Sequence, residues 1–383
     1  MGLAQLVSWG ISYYLIGIFG EKMLIELGWT RPIVYGGFSF GLVVMGCASS
    51  LVGRAIDRFG GRYVLTGGSV CCAIGCLGLA RSQTVAGYYA AWLLMGLAMR
   101  ATLYEAAFAA LVRIGGRQAR RPIAKITLLG GLASTCFWPF GHLLDEALGW
   151  RGALDVYAMI AMATIPLYLA IPVERFQVEA HPEAQTTLAS PQRSAAFVAI
   201  LYALLAMLSN GLNSAMSAHM VGILSDIGLA AALAVTASSL RGIGQSAARL
   251  AEVLFGSRLH PIVLNLLATF VMPLCFAAGL ASGQSLAAAV TFTFLFGAST
   301  GILTITRGTL PLVLFDTATY GTYVGKLLVP SFLFAAASPL IFAAVIERLG
   351  AQGALYLALC LALVMLVVSF ALRVQTKGCG VFP

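Results

Sequence analysis

Polar and apolar residues along this chain are grouped in blocks, not alternated residue by residue. Twelve apolar runs can be marked, at residues 2–20, 34–53, 63–80, 87–112, 123–141, 153–173, 195–221, 230–255, 261–280, 286–306, 319–345 and 353–372. A helix of about 20 residues rises about 30 Å, the thickness of a bilayer's hydrocarbon core. The ten-residue alternation that marks a membrane barrel is missing from the sequence. The pattern predicts an all-α integral membrane protein with 12 transmembrane helices. The longest polar gap falls after the sixth run. The expected organisation is therefore a six-helix half over 1–173, a central cytoplasmic loop over 174–194 and a second six-helix half over 195–383.

Composition agrees. The 383 residues are 60% hydrophobic and 10% charged, whereas soluble domains carry about 25% charged residues. The net charge of +9 does not point to nucleic acid, because most basic residues lie in short loops between apolar runs. With the N-terminus in the cytoplasm, fifteen Lys and Arg fall in inner loops and five in outer ones. That bias matches the positive-inside rule with both termini cytoplasmic. The expected partners are a lipid bilayer, that of the cell's inner or plasma membrane, and a small-molecule substrate. Residues 2–20 lack a basic leader and a cleavage site, so they read as a first helix and leave room for a start upstream of Met1. The eight cysteines have neither zinc nor redox spacing, and no metal or cofactor is expected. No nucleophile motif or GxxxxGK[ST] phosphate loop occurs, so an enzyme is not expected.

The halves echo each other. "LGWRGALDVYA" from Leu148 and "LGAQGALYLAL" from Leu349 are 201 residues apart, and Pro139 and Pro339 are 200 apart. A parallel six-plus-six repeat is a frequent architecture of secondary transporters. The loop after the second run, "GRAIDRFGGR", resembles the signature loop of the major facilitator superfamily through Gly53, Asp57, Arg58, Gly60 and Arg62. It departs from that signature at Gly61, where a basic residue is common. The resemblance implies the major facilitator fold, a monomer, and transport by alternating access. It also implies that these residues, with Arg54, form a gate clamping the cytoplasmic helix ends in one state of the cycle.

Beyond the fifteen and five, three basic residues are left, Arg100, Arg241 and Lys326, and among the acids Glu105 sits well inside a run. A cation at mid-bilayer costs roughly 2.5–3.5 kcal/mol even on the mild insertion scale, so such positions read as functional. Their summed charge is positive, and a guanidinium matches a carboxylate through two parallel hydrogen bonds. Arg241 in the eighth helix and Lys326 in the eleventh also resemble the basic residues of oxalate–formate antiporters and monocarboxylate porters. The expected function is secondary transport of a small organic anion, a mono- or dicarboxylate. The alternative is efflux of drugs or other neutral or cationic compounds, which would prefer an acidic pocket.

Arg100 and Glu105 are five residues apart. On one continuous helix they point about 140° apart, so a direct bond is not expected. Glu105 is the candidate proton-coupling carboxylate. Substrate-lining candidates are Trp9 and Tyr13 (with Gln5 and Ser12), Asn210 and Asn213 (with Ser217), and Gln245, one turn beyond Arg241. Thr300 and Thr304 share a face of the tenth helix. In "MSAHM", residues 216–220, His219 reads as a structural or gate residue in preference to a metal ligand.

Overall fold

The computed structural model describes residues 1–173, 192–255, 259–316 and 320–377. The central-loop expectation, with its basic residues, falls largely on 174–191, outside the described residues. The helices are α1 (Gly2–Ser8), α2 (Leu15–Leu27), α3 (Arg31–Cys47), α4 (Ser49–Phe59), α5 (Gly61–Ala80), α6 (Val85–Thr102), α7 (Tyr104–Gly115), α8 (Arg120–Gly131), α9 (Ala133–Ala163), α10 (Ile165–Leu169), α11 (Gln192–Asp226), α12 (Ala231–Phe255), α13 (Pro261–Leu280), α14 (Leu286–Leu314), α15 (Tyr320–Leu327) and α16 (Val329–Lys377). The chain divides into two compact units: Met1–Phe176 with Thr317–Val329, and Gln177–Asp316 with Pro330–Pro383.

Eight segments among the described residues are long and apolar enough to cross a membrane. The bent pair Pro32–Cys47 and Ser49–Phe59, angled by 50°, makes a ninth. Two of these segments are double. Phe140–Leu169 breaks at Gly149 (φ 68°) and Tyr320–Thr376 breaks at Gly350 (φ 71°). Both glycines adopt a left-handed conformation that side-chain-bearing residues avoid, and they are 201 residues apart, the offset of the sequence echo. Each break separates two helices where the pattern of runs expects two. The protein is an all-helical, multi-pass membrane fold.

Three local departures from regular helix matter for function. The fourth run, expected to be one helix, is broken at Leu103, whose ψ of −175° is extended. The first run contains a π-turn over Trp9–Tyr13, closed by a hydrogen bond from the Tyr14 N–H to the Trp9 carbonyl at 3.2 Å. Such turns concentrate at functional sites. The tenth run does not stop near residue 306 but continues as α14 to Leu314.

Two of the fifteen arginines and lysines counted with the inner loops, Arg249 and Arg307, lie on helices. Arg249 lies buried within α12, and Arg307 lies within α14. The apolar stretch "TLPLVLF", Thr309–Phe315, was the available signal that the tenth helix runs past Arg307.

Candidate functional site

In the second unit the site is built on α11, α12 and α14. Gly297 and Gly301, one turn apart on α14, let α12 come close. A Cβ on Gly297 would lie 2.0 Å from the Arg241 carbonyl, and one on Gly301 would lie 2.7 Å from the Gln245 carbonyl. Small residues at such spacing are how membrane helices bring backbones together. The close approach places the Arg241 guanidinium over the Phe296 ring, 5.1 Å from its centroid. Arg241 then reaches α11, where Nη1 donates to Ser217 Oγ at 3.0 Å and Nη2 to Asn213 Oδ1 at 2.7 Å. An amide, a hydroxyl and a ring face orient the cation.

One turn toward the N-terminus of α11, Asn210 Nδ2 donates to Ser331 Oγ at 3.0 Å. Its Oδ1 accepts from Arg307 Nη1 at 3.4 Å. Tyr202 donates its hydroxyl to the Arg307 carbonyl at 2.8 Å. Sequence reasoning missed Arg307, Phe296 and Ser331. Thr300 and Thr304 instead bond carbonyls of their own helix, at 2.9 Å to Phe296 and 2.8 Å to Thr300. His219 places Nε2 2.8 Å from the Pro339 carbonyl, a partner suited to a structural role.

In the first unit the break at Leu103 separates Arg100, on α6, from Glu105, in the first turn of α7. The angular argument from one continuous helix therefore does not apply. Glu105 is buried at a helix N-terminus, where the backbone dipole favours a negative charge. The broken end is closed by Gln5 of α1, whose Nε2 donates to the Thr102 carbonyl at 2.6 Å. Both groups are buried, so this bond replaces the one that the break removes. Trp9 faces the same region, with ring centroids 5.0 Å from Tyr13, 6.2 Å from Tyr14 and 4.9 Å from Tyr104. The wider π-turn explains why both following tyrosines flank one indole. Ser12 does not join this group; its hydroxyl donates to the Ser8 carbonyl at 2.5 Å.

Arg100 bonds α4. Its Nε donates to Ser49 Oγ at 3.0 Å and its Nη2 to the Ser49 carbonyl at 3.1 Å, while Ser49 Oγ donates to the Gly325 carbonyl of α15 at 2.7 Å. Below it, Asp57 caps α15. Oδ1 accepts from the Gly321 N–H at 3.1 Å, and Oδ2 accepts from the Thr322 N–H and hydroxyl, both at 2.7 Å. Gly53 allows this contact, since a Cβ there would lie 2.1 Å from the Gly321 carbonyl. Gly60 has φ 90°, which turns the chain between α4 and α5.

Of the basic gate candidates, Arg62 Nε donates to the Ile171 carbonyl at 2.7 Å. Arg58 lies exposed with its guanidinium 5.1 Å from the Phe59 ring centroid. Arg113, not foreseen, donates to the Asp57 carbonyl at 3.3 Å. Lys326 is exposed in the last turn of α15, where its charge complements the helix dipole.

No protein-family model matches this chain, and no curated protein does. Solved structures do. The human organic anion transporter MFSD10 (TETRAN) matches with a TM-score of 0.72 at 17% identity, over 96% of this chain and 97% of its own. The proton:xylose symporter XylE of the major facilitator superfamily matches with a TM-score of 0.77 at 11% identity, over 96% and 93%. This chain has the major facilitator fold. The E. coli fucose:proton symporter FucP extends the comparison, with a TM-score of 0.71 at 16% identity over 97% of each chain. At these identities the likeness fixes the architecture, and the substrates named belong to those proteins.

Proposed function

We propose that the protein is a secondary transporter of small organic anions, acting by alternating access as a monomer in the cell membrane with both termini cytoplasmic. The observation that carries this reading is Arg241. Its guanidinium sits about 15 Å along α12 from the Ala231 end, aimed by Asn213, Ser217 and the Phe296 ring. A cation fixed at that depth is costly unless an anion meets it, and a planar guanidinium favours a carboxylate. MFSD10, an organic anion transporter of the same fold, supports the choice.

The remaining roles follow from placement. Asp57, Gly53 and Gly60 form the gate around the start of α15, with Arg58 and Arg62 flanking it. Trp9 and Tyr13 line the pathway of the first unit, and Glu105 couples a proton to substrate. Arg100 belongs with the gate through Ser49.

The test is uptake into proteoliposomes of labelled carboxylates, against cationic dyes and neutral sugars. Carboxylates are expected to be carried, and Arg241→Ala to lower their uptake at least tenfold. Transport of dyes that survives Arg241→Ala would replace this reading with efflux of neutral or cationic compounds. Glu105→Gln is expected to flatten the pH dependence of uptake; an unchanged profile removes Glu105 from coupling.

A further inference from the structure

In the second unit, α13 and the part of α16 after Gly350 form a groove of about 530 Å³. Leu266, Leu267 and Phe270 line it from α13, and Leu366, Val367 and Phe370 from α16. On their buried sides the same helices are pinned together. Asn265 Nδ2 donates to Ser369 Oγ at 2.8 Å, and its Oδ1 accepts from the Thr306 hydroxyl of α14 at 3.1 Å. Asn265, Ser369 and Thr306 are all buried, whereas Phe270 and Phe370 stay 55% and 57% exposed. The polar groups are thus turned inward onto one another, and the groove offers hydrocarbon alone.

Depth and charge say what fits it. α13 begins at Pro261 and α16 ends at Lys377, and the Asn265–Ser369 bond sets those two ends on one side. At 1.5 Å per residue the groove lies about 8–17 Å from them, the acyl half of one leaflet. Arg373 comes three residues after Phe370 on the same face of α16, about 6 Å from the helix end. Its Nε is buried and has no hydrogen-bond partner among the described residues. Neither 261–280 nor 351–377 contains an Asp or Glu. The start of α13 adds the positive end of its backbone dipole at that side.

We infer that this groove seats one anionic phospholipid, with an acyl chain along the six apolar side chains and the phosphate against the Arg373 guanidinium. Any bilayer lipid can lie on an apolar helix face; the cation at headgroup depth is what selects for charge. A guanidinium presents several N–H donors to phosphate oxygens in a matching geometry. The seat depends on the membrane fold and not on which substrate the protein carries.

The test uses the full-length protein in liposomes of phosphatidylcholine and phosphatidylglycerol, with a trace of either lipid carrying a photoreactive group on its acyl chain. After irradiation, peptide mapping gives the share of all labelling that falls on residues 261–280 and 351–377. For the wild type this share is expected to be about fivefold higher with phosphatidylglycerol than with phosphatidylcholine. Arg373→Gln removes the difference. Arg373→Lys retains it, which separates charge from packing should the glutamine variant melt early. Val367→Trp, which fills the groove, lowers the share for both lipids. Equal shares in the wild type, or a preference that survives Arg373→Gln, overturns the inference and leaves a groove that meets bulk lipid only. A share unchanged by Val367→Trp overturns it as well, by placing the lipid outside the groove. Labelling by neither lipid, together with cross-links between protein chains, makes a second copy of this chain the occupant.

Discussion

Thr322 gives both of its donors, backbone N–H and hydroxyl, to a single oxygen of Asp57, each at 2.7 Å. The carboxylate of α4 thereby serves as the N-terminal cap of α15, 265 residues away in the chain. Losing a helix cap costs about 0.5–2 kcal/mol, and here the cost falls on the conformation in which α4 and α15 meet. Asp57→Asn keeps one acceptor oxygen and Asp57→Ala keeps none. Amide hydrogen exchange in residues 320–327 is expected to speed up in the order wild type, Asp57→Asn, Asp57→Ala. Equal exchange in all three would remove Asp57 from the gate.

Gly53→Ala is expected to strain the same contact. The new Cβ would lie 2.1 Å from the Gly321 carbonyl, which is backbone and cannot rotate aside. Overpacking of this kind costs typically 1–3 kcal/mol. Gly67→Ala is the control, because no atom lies within 4 Å of its added Cβ. A helix interior there gains about 0.5–1 kcal/mol from alanine. Melting temperatures in detergent should move in opposite directions for the two variants.

Gln5→Leu is expected to leave the buried Thr102 carbonyl without its donor, at a cost of about 1–3 kcal/mol. Gln5→Met separates donor from size: a thioether of similar length cannot donate and should destabilise as well. Thermal melts that leave Gln5→Met equal to wild type would show that the hydrogen bond carries no weight.

Outside the apolar segments, Glu26 joins α2 to the start of the helix after Gly149. Its Oε1 accepts from Arg151 Nε at 2.7 Å and its Oε2 from the Trp150 indole N–H. Arg151 also donates to the carbonyls of Ala80 and Ser82. The hydrogen bond from Arg151 holds the Glu26 carboxyl below its ordinary value against a smaller opposing effect of burial. A lowered pKa means stabilisation present at neutral pH and lost as acid protonates the folded carboxylate. The pair is partly exposed, so its worth is about 0.2–1 kcal/mol. The stability difference between wild type and Glu26→Gln should shrink steadily as pH falls below the ordinary carboxylate value, and a difference that stays constant from pH 7 down through acid contradicts this.

Much of the architecture was legible because a bilayer imposes one length on every crossing. Apolar runs gave the helices, and the echo from Leu148 to Leu349 marked the places where Gly149 and Gly350 break two of them. What periodicity does not carry is backbone hydrogen-bond register. Nothing in "MRATLYEA" shows that the helix stops at Leu103, and nothing in "WGISYY" shows a π-turn. Arg307 was lost to a loop because hydropathy drops at an arginine whether or not the helix ends there. Arg241, Asn213 and Asn210 were found by charge and spacing. Their grouping with Phe296 and Ser331 needed the approach that Gly297 and Gly301 permit. Arg100 was legible as a buried cation, but its alliance with Ser49 depends on how α4 and α15 pack.

The interruption at Leu103 gives the fourth crossing two short rods where a single stiff one was expected. On one rod the spacing of a guanidinium and a carboxylate is a constant of the sequence. Placed on either side of a joint, Arg100 and Glu105 have a separation set by the angle of that joint. Their mutual attraction becomes a quantity that changes with the bend.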